Sequence, residues 1–139
     1  MQEEASFGVI PLSNEKGHWE VFLIQHRRGG HWGFPKGRAE LNETSERAAM
    51  RELKEETNLD IVRFLSQEPL HEKYHLYRSG KRVSKMVLYY LAEVEGDIFL
   101  QQEEIEEGAW FTLQEARTKL THSEGRAILT QVEKILSLT

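Results

Sequence analysis

Hydrophobic and polar positions along the chain predict a mixed α/β protein. Six segments have the short apolar or alternating runs that strands favour: Phe7 to Leu12, Trp19 to His26, Ile61 to Ser66, Pro69 to Tyr77, Ser84 to Val94 and Ala109 to Thr112. The run Ser84 to Val94 is almost continuously apolar or aromatic, so it is predicted to be central in a sheet. Ser13 to Gly17 reads as a turn, and Ser79, Gly80 and Lys81 predict a hairpin turn.

Three segments have helical periodicity and predict helices around that sheet. The first lies within Gly37 to Leu59, begins after a cap at Asn42 or Thr44, and ends at Asn58 in left-handed geometry. Its predicted buried stripe is Ala49, Met50 and Leu53. The other two helices are Leu113 to Leu120 and Ser123 to Leu138, the last striped by Ile128, Val132, Ile135 and Leu136. With no internal repeat or linker, the chain is predicted to be one domain over residues 1–139.

A cluster of carboxylates near the end of the first helix is electrostatically unfavourable. Glu52, Glu55 and Glu56 lie within an arc of about 100° on one helical face, next to Arg51. They repel one another, and the helix dipole also disfavours negative charge in the last turns. The pattern therefore predicts a cationic partner for this face.

Composition restricts the chemistry that such a site can perform. The chain has 139 residues, a formal net charge of -5 and no cysteine. Thiolate metal sites, disulfides and a cysteine nucleophile are excluded, so a bound metal would need oxygen or histidine ligands. The first residues lack the features of a signal peptide, and no apolar run is long enough to cross a bilayer. We therefore expect a cytoplasmic, monomeric protein with neither a membrane nor a stable nucleic-acid partner.

The segment Gly29 to Gly37 contains four glycines and one proline, which predicts a shaped loop leading into the first helix. This loop and the helix together resemble the signature of the Nudix hydrolases. The matching pattern is Gly37, five residues, Glu43, seven residues, and then Arg51-Glu52-Leu53-Lys54-Glu55-Glu56, preceded by Trp32, Pro35 and Lys36. Asn58 replaces the penultimate glycine of the family, and asparagine also tolerates left-handed geometry.

The resemblance implies an α/β/α sandwich that hydrolyses a nucleoside diphosphate linked to another group, with Mg²⁺ or Mn²⁺ as cofactor. Oxygen ligands suit these hard cations. By position, Glu52, Glu55 and Glu56 are similar to the family's metal ligands, with the Lys36 carbonyl as a further one. The resemblance also implies that Arg51 orients a carboxylate, that Glu43 is a structural acid, and that Gly37 lets the backbone approach the metal closely.

Residues outside the signature resemble the branch of the family that cleaves dinucleoside polyphosphates asymmetrically, such as diadenosine tetraphosphate to ATP and AMP. Tyr77 lies 18 residues after Leu59, as in that branch, whereas the ADP-ribose branch has a proline where this chain has Tyr74. The resemblance implies substrate contacts from cationic and aromatic groups: His31, Lys36, Tyr77, Lys81 and Lys85. It also implies that Glu104, six residues before Trp110, binds metal or activates water.

Other interpretations remain open at this point. Glu103, Glu106 and Glu107 compete with Glu104 for its role, and the whole acidic stretch can be a solvated loop. Tyr89 is expected to be a core residue. The substrate can instead be an oxidised nucleoside triphosphate, an RNA 5′ end or an inositol pyrophosphate, and a non-catalytic nucleotide-binding module is a further alternative.

Overall fold

A mixed sheet of eight strands lies at the centre of the computed structural model, which describes residues 2–138. The strands are β1 (Gln2–Ser13), β2 (Glu20–His26), β3 (Trp32–Gly33), β4 (Lys36–Gly37), β5 (Asp60–Phe64), β6 (Leu70–Arg78), β7 (Lys81–Glu95) and β8 (Ile105–Thr112). The helices are α1 (Ser45–Thr57), α2 (Leu113–Lys119) and α3 (Ser123–Ser137). Among the described helices, none is long and apolar enough to span a membrane.

The two long strands β1 and β7 run parallel in the middle of the sheet. Their outer edges pair with β2, β4, β5 and β6, whereas β3 and β8 pair with β2. The register of β1 and β7 runs from Gln2 opposite Val83 to Leu12 opposite Glu93. The outer edge of β7 pairs antiparallel with β6 along its first half and with β5 near its end. The outer edge of β1 pairs with β2 near Leu12 and with the short β4 near Phe7. This last pairing fixes the glycine-rich loop against the middle of the sheet.

Alternating side chains of β7 fill two cores, one on each face of the sheet. Val87, Tyr89 and Leu91 belong to the core that α2 and α3 cover. Ala92 and Val94 belong to the core that contains Ala49 and Leu53 of α1. The predicted α/β/α arrangement is therefore confirmed, with β7 buried on both faces as its continuous apolar run indicated.

The ends of α1 follow the predicted caps. Thr44 is the N-cap, and its hydroxyl accepts a hydrogen bond from the Arg47 N–H, whereas Asn42 lies outside the helix with φ 65°. Asn58 ends the helix with φ 70° and ψ 8°, and its side-chain amide donates a hydrogen bond to the Asp97 carbonyl oxygen at 3.0 Å. Left-handed geometry at Asn58 thus closes the helix as expected.

Two local predictions were wrong. Met50 is 39% exposed, because it is about 100° around the helix from Ala49 and faces solvent rather than the core. The predicted strand Ala109 to Thr112 begins earlier than expected, because the segment 105–108 of the acidic stretch forms the first half of β8. Ile105 is buried there and Gly108 lies against the Phe22 ring, so these two residues determine the packing of the strand while the glutamates between them face solvent.

Candidate active site

The loop that precedes α1 crosses β1 at Gly8. A Cβ atom at this position would lie 2.3 Å from the Pro35 carbonyl oxygen and 2.8 Å from the Lys36 Cβ. Any side chain on residue 8 would collide with that backbone, so glycine is required for the crossing. Sequence reasoning missed this role, because a single glycine inside an apolar strand carries no signal of what crosses it.

The crossing brings the Lys36 backbone to the end of α1. The Lys36 N–H donates a hydrogen bond to Glu56 Oε1 at 3.0 Å. Glu56 is only 5% exposed, and burial, with the nearby carboxylates of Glu52 and Glu104, raises its pKa to about 8, while the Lys36 hydrogen bond opposes this shift. The fold thus holds a buried carboxyl group that a nearby cation would readily ionise.

Gly37 makes room for the second carboxylate. A Cβ atom on Gly37 would lie 2.1 Å from Glu52 Cδ and 2.3 Å from both Glu52 oxygens. Burial raises the pKa of Glu52, and the Glu55 and Glu104 carboxylates add to this effect. The Glu52 carboxylate therefore occupies space that only glycine leaves free.

Arg51 connects the acidic side chains around this pair. Its guanidinium donates to both oxygens of Glu43, at 2.8 and 3.0 Å, and to Glu52 and Glu55 at 3.2 Å. It also donates to the Arg38 carbonyl oxygen at 2.9 Å. The hydrogen bond from Arg51 is the main cause of the pKa of about 2 at Glu43. Glu43 thus anchors Arg51, and Arg51 holds Glu52 and Glu55.

Among the four acidic candidates around residue 104, Glu104 has an electrostatic effect on two of the predicted metal ligands. Its charge raises the pKa of both Glu52 and Glu56. Glu106 instead forms an ion pair with Arg27, and Glu107 lies opposite Gln25 in the register of β2 and β8. Glu103 and Glu104 line a second depression, of about 610 Å³, together with His26, Arg27 and Arg28.

The carboxylate cluster has the donor chemistry that a hard divalent cation requires. Its ligands are all oxygens, the Glu52, Glu56 and Glu104 charges repel one another, and the glycine at position 37 leaves their space open. Within residues 2–138, however, no three acidic or histidine side chains already enclose a metal position. Glu55 is drawn toward Arg51 and its side chain is 52% exposed, so it would have to rotate to join Glu52 and Glu56.

A cavity of about 440 Å³ opens on the other face of the sheet and reaches Lys36. About half of its lining residues carry aromatic or imidazole rings: His26, His31, Trp32, Phe34, Tyr74, His75, Tyr89 and His122. The His26 and His31 rings stack with centroids 4.1 Å apart, and His122 lies 5.5 Å from His31. Burial lowers the pKa of both His26, to about 4, and His31, and the neighbouring His and Lys36 charges add to this. The His26 and His31 imidazoles are therefore neutral at neutral pH.

The predicted binding residues do not all meet at this cavity. His31 and Lys36 line it, and the Lys36 ammonium donates to the Tyr74 hydroxyl at 3.2 Å. Lys85 lies opposite Tyr74 in the register of β6 and β7, and its Nζ atom is 3.7 Å from Glu4 Oε1. Burial lowers the pKa of Lys85. Tyr89, expected in the core, is buried and also forms part of the cavity wall.

Tyr77 and Lys81 lie outside the cavity. Tyr77 is 75% exposed, and strand alternation directs its side chain to the sheet face opposite Tyr74. Lys81 is at the tip of the hairpin, opposite Arg78. Of these two tyrosines of β6, Tyr74 lines the cavity and Tyr77 does not, because they lie three positions apart on one strand, and the substrate contact of Tyr77 stays a prediction.

Sequence reasoning also missed several groups that the fold brings to the site. The basic run His26, Arg27 and Arg28 just before the glycine-rich loop was a usable signal. Glu72 and His122 had none, since they belong to β6 and to the residue before α3 and meet only through the tertiary fold.

Comparison with known proteins shows which family has this arrangement. Residues 3–131 match the NUDIX domain. The chain belongs to the Nudix family. Nudix hydrolases act on pyrophosphate bonds and generally use a divalent metal such as Mg²⁺ or Mn²⁺.

Individual relatives with different activities are similar to this Nudix chain. An asymmetrical bis(5′-nucleosyl)-tetraphosphatase of Caenorhabditis elegans is 30% identical over 133 residues, which are 94% of each chain. The 8-oxo-(d)GTP phosphatase of Mycolicibacterium smegmatis is 30% identical over 115 residues, 83% of this chain. The chain spans less than half the length of several curated relatives, and 34% of that phosphatase. The crystal structure of C. elegans Ap4A hydrolase has a TM-score of 0.73 and 27% identity, covering 95% of this chain and 97% of that one.

Proposed function

We propose that this Nudix hydrolase cleaves dinucleoside polyphosphates asymmetrically, releasing a nucleoside monophosphate and the remaining polyphosphate, as in conversion of diadenosine tetraphosphate to AMP and ATP. The observation that carries the proposal is the position of Lys36. Its backbone N–H binds Glu56 in the carboxylate cluster, and its side chain lines the aromatic cavity. One residue thus joins a site for a nucleoside to a site for phosphate hydrolysis.

The aromatic cavity suits the nucleoside end of such a substrate. Its volume of about 440 Å³ falls in the range of small-molecule sites, and flat rings on its walls can stack on a base. Tyr74, His31 and Tyr89 are the proposed stacking or edge contacts. The neutral imidazole of His31 can donate one hydrogen bond to a ribose or phosphate oxygen.

A group of cations near Lys36 suits the phosphate chain. Arg38, Arg78 and Lys85 all form ion pairs with the single carboxylate of Glu4, whose side chain is 5% exposed. Three cations share one anion there, so positive charge is in excess close to the cavity. On the side of Glu104, Arg28 is the further candidate for a phosphate contact, since it lines the second depression.

The carboxylates are proposed to perform the hydrolysis. Glu52, Glu55 and Glu56 would hold Mg²⁺ or Mn²⁺, which neutralises phosphate charge and lowers the pKa of a water molecule when it is bound. Glu104 is proposed to accept the proton of the attacking water. The water oxygen bonds to the phosphorus that carries one nucleoside, the bond from that phosphorus to the bridging oxygen breaks, and the nucleoside triphosphate leaves with this oxygen.

A substrate panel with Mg²⁺ tests the proposal most directly. Dinucleoside tetraphosphates, tested as the diadenosine and diguanosine compounds, should be hydrolysed with a higher kcat/KM than 8-oxo-dGTP, ATP and ADP-ribose. In oxygen-18 water, attack next to one adenosine places the label in AMP. A label found in ATP would contradict the regiochemistry, and preferential turnover of a mononucleotide would contradict the substrate class.

Metal binding has its own readout in thermal unfolding. Mg²⁺ should raise the Tm of the wild type by mass action, because it binds the folded carboxylate cluster only. Glu52→Gln should reduce this shift, whereas Glu95→Gln, an exposed change on β7, should leave it intact. An equal Mg²⁺ response in the two variants would refute the ligand assignment.

One observation favours a second candidate, hydrolysis of an oxidised nucleoside triphosphate. The aromatic cavity is sized for a single nucleoside, and a mononucleotide substrate would need no second one. The similarity to an 8-oxo-(d)GTP phosphatase agrees with this alternative. The same panel separates the two, since only the dinucleotide reaction yields a nucleoside monophosphate together with a nucleoside triphosphate.

A further inference from the structure

Glu72 is a buried carboxyl group that the proposed reaction does not use. It lies on β6, is 9% exposed, and forms part of the wall of the aromatic cavity. Within residues 2–138, its carboxyl group makes neither a hydrogen bond nor an ion pair, and its oxygens are not sealed from solvent. Because Glu72 lines the cavity, its carboxyl group is free to accept hydrogen bonds from a ligand bound there.

The surroundings of Glu72 favour a ligand that donates hydrogen bonds at this end of the cavity. Glu124 of α3 also lines the cavity and adds a second acidic group. Burial and the Glu124 carboxylate raise the pKa of Glu72, and the Lys36 ammonium opposes this shift; when ionised, the group accepts hydrogen bonds only. The nearby rings of Tyr74 and Tyr89 can stack on a flat ligand whose edge then meets the carboxylate.

We propose that Glu72 is the residue that selects the base, and that it accepts two hydrogen bonds from the edge of guanine. Guanine presents N1–H and the exocyclic 2-amino group side by side, which matches the two oxygens of a carboxylate. Adenine presents an acceptor, N1, next to its amino group, and uracil flanks its N3–H with two carbonyl oxygens. A carboxylate therefore discriminates against both. This assignment rests on the proposed function, in which the cavity holds a nucleoside. Glu72 then selects guanosine at this end of the substrate.

Binding of mononucleotides without turnover tests the role of Glu72. Calorimetric titration of the metal-free protein with GMP, IMP and AMP compares three base edges. Guanine offers N1–H and the 2-amino group, hypoxanthine offers N1–H alone, and adenine offers neither. Wild type should bind GMP roughly 10-fold or more tightly than AMP, the discrimination that one good bidentate pair provides, with IMP between them.

The variant Glu72→Gln is nearly isosteric and carries one donor and one acceptor, which complement adenine rather than guanine. It should lose affinity for GMP and gain affinity for AMP, so that the preference falls to parity or inverts. If the role of Glu72 were merely structural, the substitution would weaken the binding of GMP and AMP by the same factor. Glu95→Gln makes the same chemical change at an exposed position and should keep the wild-type preference.

Three outcomes would overturn the assignment: tighter binding of AMP than GMP by wild type, an unchanged GMP to AMP ratio in Glu72→Gln, or no binding of either nucleotide. Failure of the proposed function is recognised separately. If diadenosine and diguanosine tetraphosphates are both left intact while GMP binding depends on Glu72, the base assignment stands and the dinucleotide reaction does not.

Discussion

Replacing Gly37 with alanine should disable the site while leaving the fold intact. The added Cβ atom would lie 2.1 Å from Glu52 Cδ, whereas ordinary contact begins at 3.4 Å, so the carboxylate must retreat by about 1.3 Å (3.4 − 2.1). The group that must move is the end of a flexible side chain rather than backbone. We therefore expect the strain to be relieved by rotation of Glu52 away from Glu56.

The two consequences of this substitution differ greatly in size. A displacement of about 1 Å in a catalytic group lowers turnover by roughly 100-fold. The free energy of unfolding should change by less than about 1 kcal/mol, because Gly37 has no positive φ and alanine restricts the unfolded chain more than glycine does. Activity and stability should thus separate.

Steady-state kinetics and urea unfolding of Gly37→Ala measure both effects on the preferred substrate of the panel. Gly33→Ala, in the same loop with no atom within 4 Å of its added Cβ, is the control for the free energy of unfolding. In a Glu52→Ala background, Gly37→Ala should have no further effect on kcat, because it acts through the displaced carboxylate. Near wild-type kcat in the single variant, or additive losses in the double variant, would refute this reasoning.

Three further predictions concern the same loop and its neighbours. Gly8→Ala should destabilise the protein by more than about 1 kcal/mol in urea unfolding, since its Cβ meets the Pro35 backbone rather than a movable side chain; unchanged stability would contradict this. Burial, with the His31 and Lys36 charges, lowers the pKa of His26 from 6.5 to about 4, so the unfolded state binds more protons between these values. Stability should therefore fall as pH decreases from 6.5 to 4, by roughly 2 kcal/mol after allowance for the partly exposed ring, and His26→Gln should lack that fraction of the pH dependence. Glu56→Gln should lose most turnover yet, with EDTA present, be more stable than wild type at pH 8, because wild-type folding becomes less favourable as pH rises from 4.5 toward the folded pKa of about 8. Equal Tm values at pH 8 would refute this last expectation.

The parts of the site that are local in sequence were predictable from it. Thr44, Arg51 and Asn58 act through contacts within or next to α1, and helix periodicity with capping chemistry is sufficient to place them. Helix periodicity also predicted that Glu52 and Glu56 share one face, while their role as metal ligands stays a prediction from the family resemblance. The predicted sheet was also recovered in outline, because β7 is apolar on both faces and the hairpin before it has a strong turn signal.

The parts that depend on register and long-range packing were not predictable. Tyr77 and Tyr74 differ by three positions on one strand and therefore lie on opposite faces, which no sequence offset specifies. Gly8 meets Pro35 only because β4 pairs with β1, which places Gly8 opposite Lys36 across 27 intervening residues. The wall of the aromatic cavity combines loop, strand and helix residues, so its chemistry follows from topology rather than from any motif.

The cation that the isolated helix lacked is supplied only in part by the fold. Arg51 compensates Glu43, Glu52 and Glu55 through direct hydrogen bonds. Within residues 2–138, the Glu56 carboxyl group accepts a hydrogen bond only from the Lys36 N–H, and the Glu104 charge opposes ionisation of both Glu52 and Glu56. If Arg51 neutralised all of these carboxylates, no attraction for a divalent cation would remain. Because it leaves the buried member uncompensated, the folded protein retains an electrostatic strain that a bound cation relieves, and the same strain lowers the stability of the metal-free fold at alkaline pH.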